Sequence, residues 1–172
     1  MSVPLALSQA ESQIIGNLPD RWLRMDTMSQ YAVLEIGRAL KDAGIDQFSP
    51  ECCGIIGGSK FGSLATDLAY AESLQDGVAF ASPALFGYTL ANISLAEAAS
   101  HYNITGPVFC ILDDSPFAAS QNEAKRWLHF MPKDSFIIYG ELDVIPGSSG
   151  EEVTASFHIQ TSSHSQNGIK AT

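Results

Sequence analysis

LRMDTMSQYAVLEIGRALKDAGI (residues 23–45) and CGIIGGSKFGS (residues 53–63) are the stretches that decide the fold. In the first, Tyr31, Leu34, Ile36, Ala39, Leu40 and Ala43 recur at mainly three- and four-residue spacing. That period predicts an amphipathic helix over residues 28–43. Asp26, Thr27 or Ser29 is placed to cap its start, and Gly44 follows as the C-cap. Ser49-Pro50 then breaks the chain, and residues 52–56 read as a short buried strand ended by Gly57-Gly58. Glycines at such a place let a strand turn tightly into a helix. The other reading of Gly57, Gly58 and Gly62 is a phosphate-cradling loop. It lacks both the Gly-Lys-Ser/Thr ending and the Gly-x-Gly-x-x-Gly spacing.

Outward from this pair, residues 64–74 read as a helix, Gln75-Asp76-Gly77 as a turn, and the chain around Ser82-Pro83 as a loop. An alanine-rich helix spans 90–102, and residues 107–112 form a second apolar strand. That strand runs into Asp113-Asp114-Ser115-Pro116 and a helix over 118–130. Two strands, 135–144 and 153–160, close the domain around a turn at 146–150. Residues 2–7 fit a short edge strand, because Pro4 cannot donate to a central ladder. Strands alternating with helices and ending in a hairpin imply an α/β fold with a mixed five-stranded sheet covered by helices. Residues 1–160 read as one domain and 161–172 as a polar, disordered tail.

Composition narrows the function classes. At 172 residues with 45% hydrophobic content the chain can bury a core. No apolar run reaches the roughly 18 residues a membrane-spanning helix needs. The start, MSVPLALSQAES, lacks the basic and apolar regions of a signal peptide, so the cytoplasm is the expected location. The formal charge is −10 with nine Lys and Arg in all, which argues against a nucleic-acid partner. Cys52, Cys53 and Cys110 sit in apolar runs and read as core residues, and no Cys or His pair has zinc spacing. No metal and no cofactor are expected.

Three stretches together resemble the β-ketoacyl synthases, the condensing enzymes of fatty-acid and polyketide assembly. They are residues 23–45, with Arg-Met-Asp at the start and Asp-Ala-Gly at the end; CGIIGGSKFGS; and SPALFGYTLANISLAEAASHYNITGP (82–107), with its Ser-Pro, Asn92 and closing Gly-Pro. The resemblance covers residues 21–160 and implies the N-terminal half of a thiolase-like fold. It is nearest to the divergent, chain-length-factor-like members that accompany a true synthase.

In a working synthase the strand after Gly-Pro leads to a cysteine on a sharp turn at a helix N-terminus. Counting from Gly106-Pro107 puts Ser115 at that position, behind Asp113 and Asp114 and before Pro116. A serine hydroxyl needs a neighbouring base, two carboxylates oppose new negative charge, and proline removes a backbone donor. The family also takes His-His or His-Asn from a C-terminal half that is not present in this sequence. His101, His129, His158 and His164 match none of those motifs. No catalytic residue is therefore expected. Two readings of Ser115 stay open: a helix N-cap together with Asp113, Asp114 and Pro116, or an acyl-transfer nucleophile. Phe80, Phe86 and Tyr88 stand either for the lining of an acyl tunnel or for loop aromatics packed on the core.

The resemblance implies a non-catalytic ketosynthase-like protein acting by association in fatty-acid or polyketide-type biosynthesis, as a homodimer or a heterodimer with a full-length ketosynthase. An apolar helix face over 118–130, with Phe117, is expected to need a second copy to cover it. The edge strand 107–112 offers pairing across a dyad, as the matching strand does in the family's dimers. One alternative is an acyltransferase using Ser115 and an acyl carrier protein, which would need a basic patch from Arg21, Arg24, Lys125 or Arg126. The other is an acyl-chain binding module.

Overall fold

The computed structural model of the chain describes residues 4–162, apart from Asp76 and Ser149. Its helices are α1 (Gln9–Ile15), α2 (Thr27–Asp42), α3 (Leu64–Ser73), α4 (Pro83–Phe86), α5 (Ala91–His101) and α6 (Pro116–Trp127). Its strands are β1 (Cys53–Ser59), β2 (Val108–Leu112), β3 (Phe136–Gly147) and β4 (Gly150–Thr161). They form one sheet in the order β2-β1-β3-β4, with β1 parallel to both neighbours and β4 antiparallel to β3.

The sheet is mixed and helix-covered as expected, but four strands are described rather than five. The N-terminal segment is the difference. Residues 4–7 lie along α2, where the Leu5 N–H donates to Oε1 of buried Gln30 at 2.8 Å. Gln30 Nε2 donates to the Trp22 carbonyl, so a helix side chain takes the place of a neighbouring strand. β1 and β3 pair directly from Cys53↔Phe136 to Gly58↔Glu141, which leaves no slot between them. Ser2 and Val3 lie outside the described residues, as do 163–172. Thr161 pairs with Phe136, so the ordered sheet runs one residue past the expected domain boundary at 160.

The period-2 pattern of β3 assigns the two faces. Phe136, Ile138, Leu142 and Val144 join a core with Ala32, Val33, Ile36 and Leu40 of α2 and Leu95 and Ala98 of α5. Ile137 and Tyr139 join Ile56, Ala124 and Leu128 in a smaller core under α6. A strand buried on both faces reads as a continuous apolar run, which is why β3 carries little alternation. α2 begins at Asp26, whose Oδ1 accepts the Ser29 N–H at 2.9 Å, so the first of the three candidate caps is the one used. Gly44 follows with φ +67.

Gly57 and Gly58 correct the sequence reading. They lie inside β1, not at its end. A Cβ at Gly58 would stand 2.0 Å from the Pro116 carbonyl oxygen, and one at Gly57 2.9 Å from Leu95 Cδ1. These glycines let α6 and α5 close onto the strand. The turn itself falls at Ser59–Gly62, where Gly62 adopts φ +60.

That turn is held by a buried carboxylate. Asp143 of β3 accepts from Ser59 Oγ (2.5 Å), the Lys60 N–H (3.0 Å to Oδ2) and the Phe61 N–H (3.0 Å to Oδ1). Ser59 Oγ in turn accepts the Gly62 N–H at 2.7 Å. Asp143→Ala strands these donors in a partly dry site and should cost about 3 kcal/mol, read as a lower urea midpoint at unchanged slope. A second buried carboxylate gives a pH signature. Burial pushes the Asp26 carboxyl above its usual range, against the bonds from Ser29 and Thr66 that lower it, and Glu151 adds to the rise. The folded state then holds the Asp26 proton more tightly than the unfolded chain. Its contribution is full below the unfolded carboxylate pKa and declines as pH rises through the raised folded value. Asp26→Asn should flatten that descending limb in melts taken across pH.

Candidate functional site

The site to test is the end of β2. The Asp113 N–H still donates to the Ser59 carbonyl (3.0 Å), extending the ladder one residue past Leu112. The chain then turns, and Asp113 Oδ1 accepts the Ser115 N–H at 2.8 Å. Ser115 occupies the N-cap position of α6 with Pro116 just inside the helix, yet its side chain forms no capping bond. The turn is made by the Asp113 carboxylate, and Ser115 contributes its carbonyl, which accepts the Ala119 N–H at 3.0 Å. Asp114 is exposed and pairs with Lys60 at 3.3 Å, a contact that solvent weakens.

No described side chain hydrogen-bonds to Ser115 Oγ. The described histidines are engaged elsewhere. His101 Nε2 meets the Ile15 carbonyl (3.0 Å) beside α1, and His129 Nδ1 meets the Lys125 carbonyl (2.8 Å) at the far end of α6. The His158 ring stacks edge-on against Phe117, with centroids 5.4 Å apart, and lies 5.9 Å from Tyr139. His164 lies outside the described residues. Two backbone donors that a helix N-terminus could turn on a developing anion are also missing: the Ser115 N–H is bound by Asp113, and Pro116 has none. The thiols offer no substitute. Burial pushes Cys110 up to about 11, assisted by the charge of Asp143, and pushes Cys53 up to about 12, with Cys52 adding to it.

Most of the face over 118–130 turns inward and does not form the expected exposed apolar patch, though Phe130 at its end is 79% exposed. Ser120, Ala124 and Leu128 are buried against the sheet, Phe117 packs on Tyr139, and Trp127 packs on Phe109. Exposed residues on α6 are Ala118, Asn122, Lys125 and Arg126. Spacing alone could not say which way the apolar stripe turned, and it turned inward. The basic residues do not gather into a docking patch either: Arg21 is held by Glu97 at 2.7 Å and Arg126 by Glu123 at 2.5 Å.

Exposed apolar residues also lie near the β2 edge. Leu112 is 67% exposed, Leu90 66% and Phe61 44%. Leu112 lies beside Gly62, whose Cβ position would be 3.5 Å from Leu112 Cδ2 and 3.8 Å from Ala91, the neighbour of Leu90. Of the three aromatics singled out in the sequence, Tyr88 is core, donating to Glu97 at 3.1 Å, whereas Phe80 and Phe86 are exposed. Phe86 rests on Tyr70.

The backbone of β2 completes the surface. The Ile55 N–H donates to the Pro107 carbonyl at one end, and the Asp113 N–H donates to Ser59 at the other. Residues 107, 109, 111 and 113 therefore turn toward β1, and Val108, Cys110 and Leu112 present their backbone groups outward. Sequence reasoning passed over Asp143, and it used Asn92 as a mark of the resemblance without seeing its bond to Cys110. The signal for Asp143 was a carboxylate, two residues after Glu141, inside the apolar run FIIYGELDVI.

Two solved structures share this architecture. One is the ishigamide ketosynthase/chain length factor, at 17% identity and a TM-score of 0.62, with 77% of this chain and 37% of that chain covered. The other is a ketosynthase in complex with its chain length factor from Xenorhabdus doucetiae, at 15% identity and a TM-score of 0.53, covering 83% and 63%. At these identities the likeness is one of fold, and the chain spans less than two thirds of either. No curated protein matches. The profile of the β-ketoacyl synthase N-terminal domain matches residues 5–113, stopping two residues short of Ser115. The chain belongs to the β-ketoacyl synthase family, and what it carries is that family's N-terminal domain.

Proposed function

We propose that this chain is a non-catalytic ketosynthase-like protein that works by association, with a ketosynthase of polyketide or fatty-acid type as its partner. The observation that carries the reading is the pairing of a disabled turn with an open edge. At the position the resemblance gives the nucleophile stands a serine to which no described side chain hydrogen-bonds, with two neighbouring carboxylates. A few residues before it, β2 is an edge strand without a second neighbour in the sheet, and Leu112 at its end is exposed. The solved neighbours, whose titles join ketosynthases with chain length factors, support a heterodimer over a chain acting alone. The formal charge of −10 supports a partner other than an acidic carrier protein.

Two measurements test it. In co-expression with a ketosynthase encoded alongside it, the chain should co-elute as a defined complex, and Leu112→Lys should weaken that complex by about 2 kcal/mol or more. Intact-mass analysis after incubation with acyl and malonyl thioesters should show no adduct on either wild type or Ser115→Ala. An adduct present in the wild type and lost in Ser115→Ala would make the chain a serine acyltransferase and overturn the reading. Acyl chain retained by the purified protein without turnover would favour a binding module, with Phe80 and Phe86 as the first residues to alter.

A further inference from the structure

A cleft of about 580 Å³ lies between the last turns of α5 and the loop of residues 17–21, a volume in the range of small-molecule sites. It holds a charged pair of unequal exposure: the Glu97 side chain is 8% exposed and that of Arg21 63%. Glu97 Oε1 accepts from Arg21 Nη2 at 2.7 Å and from the Tyr88 hydroxyl at 3.1 Å. Both bonds fall on the same oxygen, and Oε2 has no hydrogen-bond partner among the described residues. We propose that this cleft binds a free α-amino acid with an apolar side chain. Glu97 takes its ammonium, Arg21 its carboxylate, and Leu18 with Pro19 its side chain.

Each contact selects one part of that class. A buried carboxylate with one oxygen unbonded favours a charged donor, and an ammonium group carries three N–H donors and no acceptor. His101 supplies a second acceptor. Its Nε2 meets the Ile15 carbonyl at 3.0 Å, and a carbonyl only accepts, so Nε2 carries the proton and the neutral ring leaves its lone pair on Nδ1. Tyr102, edge-on to this ring with centroids 4.6 Å apart, fixes its plane. Glu97 and His101 stand one helical turn apart and share a face of α5. Asp20 lines the same cleft and adds negative charge, so a simple anion is disfavoured.

Arg21 separates an amino acid from a plain amine. With Nη2 on Glu97, its other N–H groups can fork onto a carboxylate. The bond to Glu97 holds the two opposite charges side by side, and in an α-amino acid the ammonium and carboxylate are likewise one carbon apart. An amine alone would leave Arg21 facing a like charge, and an acid alone would meet Glu97. Leu18, 48% exposed, and Pro19 give the loop wall an apolar shelf for the side chain.

Calorimetric titration of the full chain with L-leucine and L-phenylalanine tests the site, and saturable one-site binding is expected. Isocaproate, which is leucine without its ammonium, and isoamylamine, which lacks the carboxylate, should each bind about tenfold more weakly or worse. Arg21→Gln, a change at a mostly exposed side chain, should erase the preference for leucine over isoamylamine. Amide shifts of the wild type locate the site without any variant. Adding L-leucine should move residues from Asn17 to Arg21 and from Glu97 to His101, and leave Val108 to Leu112 in place. Four results overturn the inference: no saturable binding of either amino acid, an acid or amine that binds as well as leucine, undiminished leucine binding in Arg21→Gln, or shifts confined to another surface. The cleft and the partner edge fail separately. A chain that binds leucine but no ketosynthase loses the proposed function alone, and one that binds a ketosynthase but no amino acid loses only the cleft.

Discussion

The grip of Asp143 on the turn after β1 sets most of what surrounds it. β3 is longer than β1, so a carboxylate carried past the last β1–β3 pair arrives level with Ser59–Gly62. Three donors converge on it, and Ser59 passes the constraint on to Gly62. With the turn fixed, α3 leaves the sheet in one direction and Gly62 is held beside Leu112. The apolar corner at the end of β2 is thus placed by a polar contact on the opposite neighbour of β1. A buried charge is tolerated here because every donor aimed at it comes from a backbone or hydroxyl that would otherwise lack a partner.

The α6 end of the sheet follows a different logic. Gly58 lets the first turn of α6 rest on β1, and Pro116 and Ser120 continue the contact along the helix. A strand, a turn and a helix start thus follow one another where the resemblance would put a nucleophile. What differs is the chemistry hung on it. The Asp113 carboxylate has taken the Ser115 N–H, and the described histidines are held in packing contacts or by backbone carbonyls. A shared backbone does not by itself carry an activity, because function resides in a site grafted onto a fold.

How much of this was legible in the sequence depended on whether a residue's role was local. α2 was readable because its period and the Asp26 cap lie within one run of chain. β1 and β2 were readable as apolar runs, though β1 was drawn too short, because Gly57 and Gly58 look like a turn until Leu95 and Pro116 are seen against them. The N-terminal segment was misread because its partner, Gln30, is a buried polar side chain on a helix, and nothing in residues 4–7 announces it. At the candidate site, Ser115 and Pro116 fell on the expected positions, while the capping bond went to Asp113. The direction of the α6 stripe was decided by tertiary packing and not by spacing. Asn92 carried the family resemblance, but its hold on Cys110 joins residues 18 apart and appears only once β2 is known to be an edge.

The bond from the Ser115 N–H to Asp113 also bears on reversibility. A serine differs from a cysteine by one atom, so recovery of a thiol at this turn looks like a short step. The thiol would arrive at a helix start whose first amide is already bound and whose next residue has none, with two negative side chains beside it. A sulfur at 115 would find neither the 115 nor the 116 amide to stabilise its anion, and changes at 113, 114 and 116 would each address only part of that. A thiol placed at 115 would thus meet several opposing neighbours at once, and no single substitution at the turn would relieve them all.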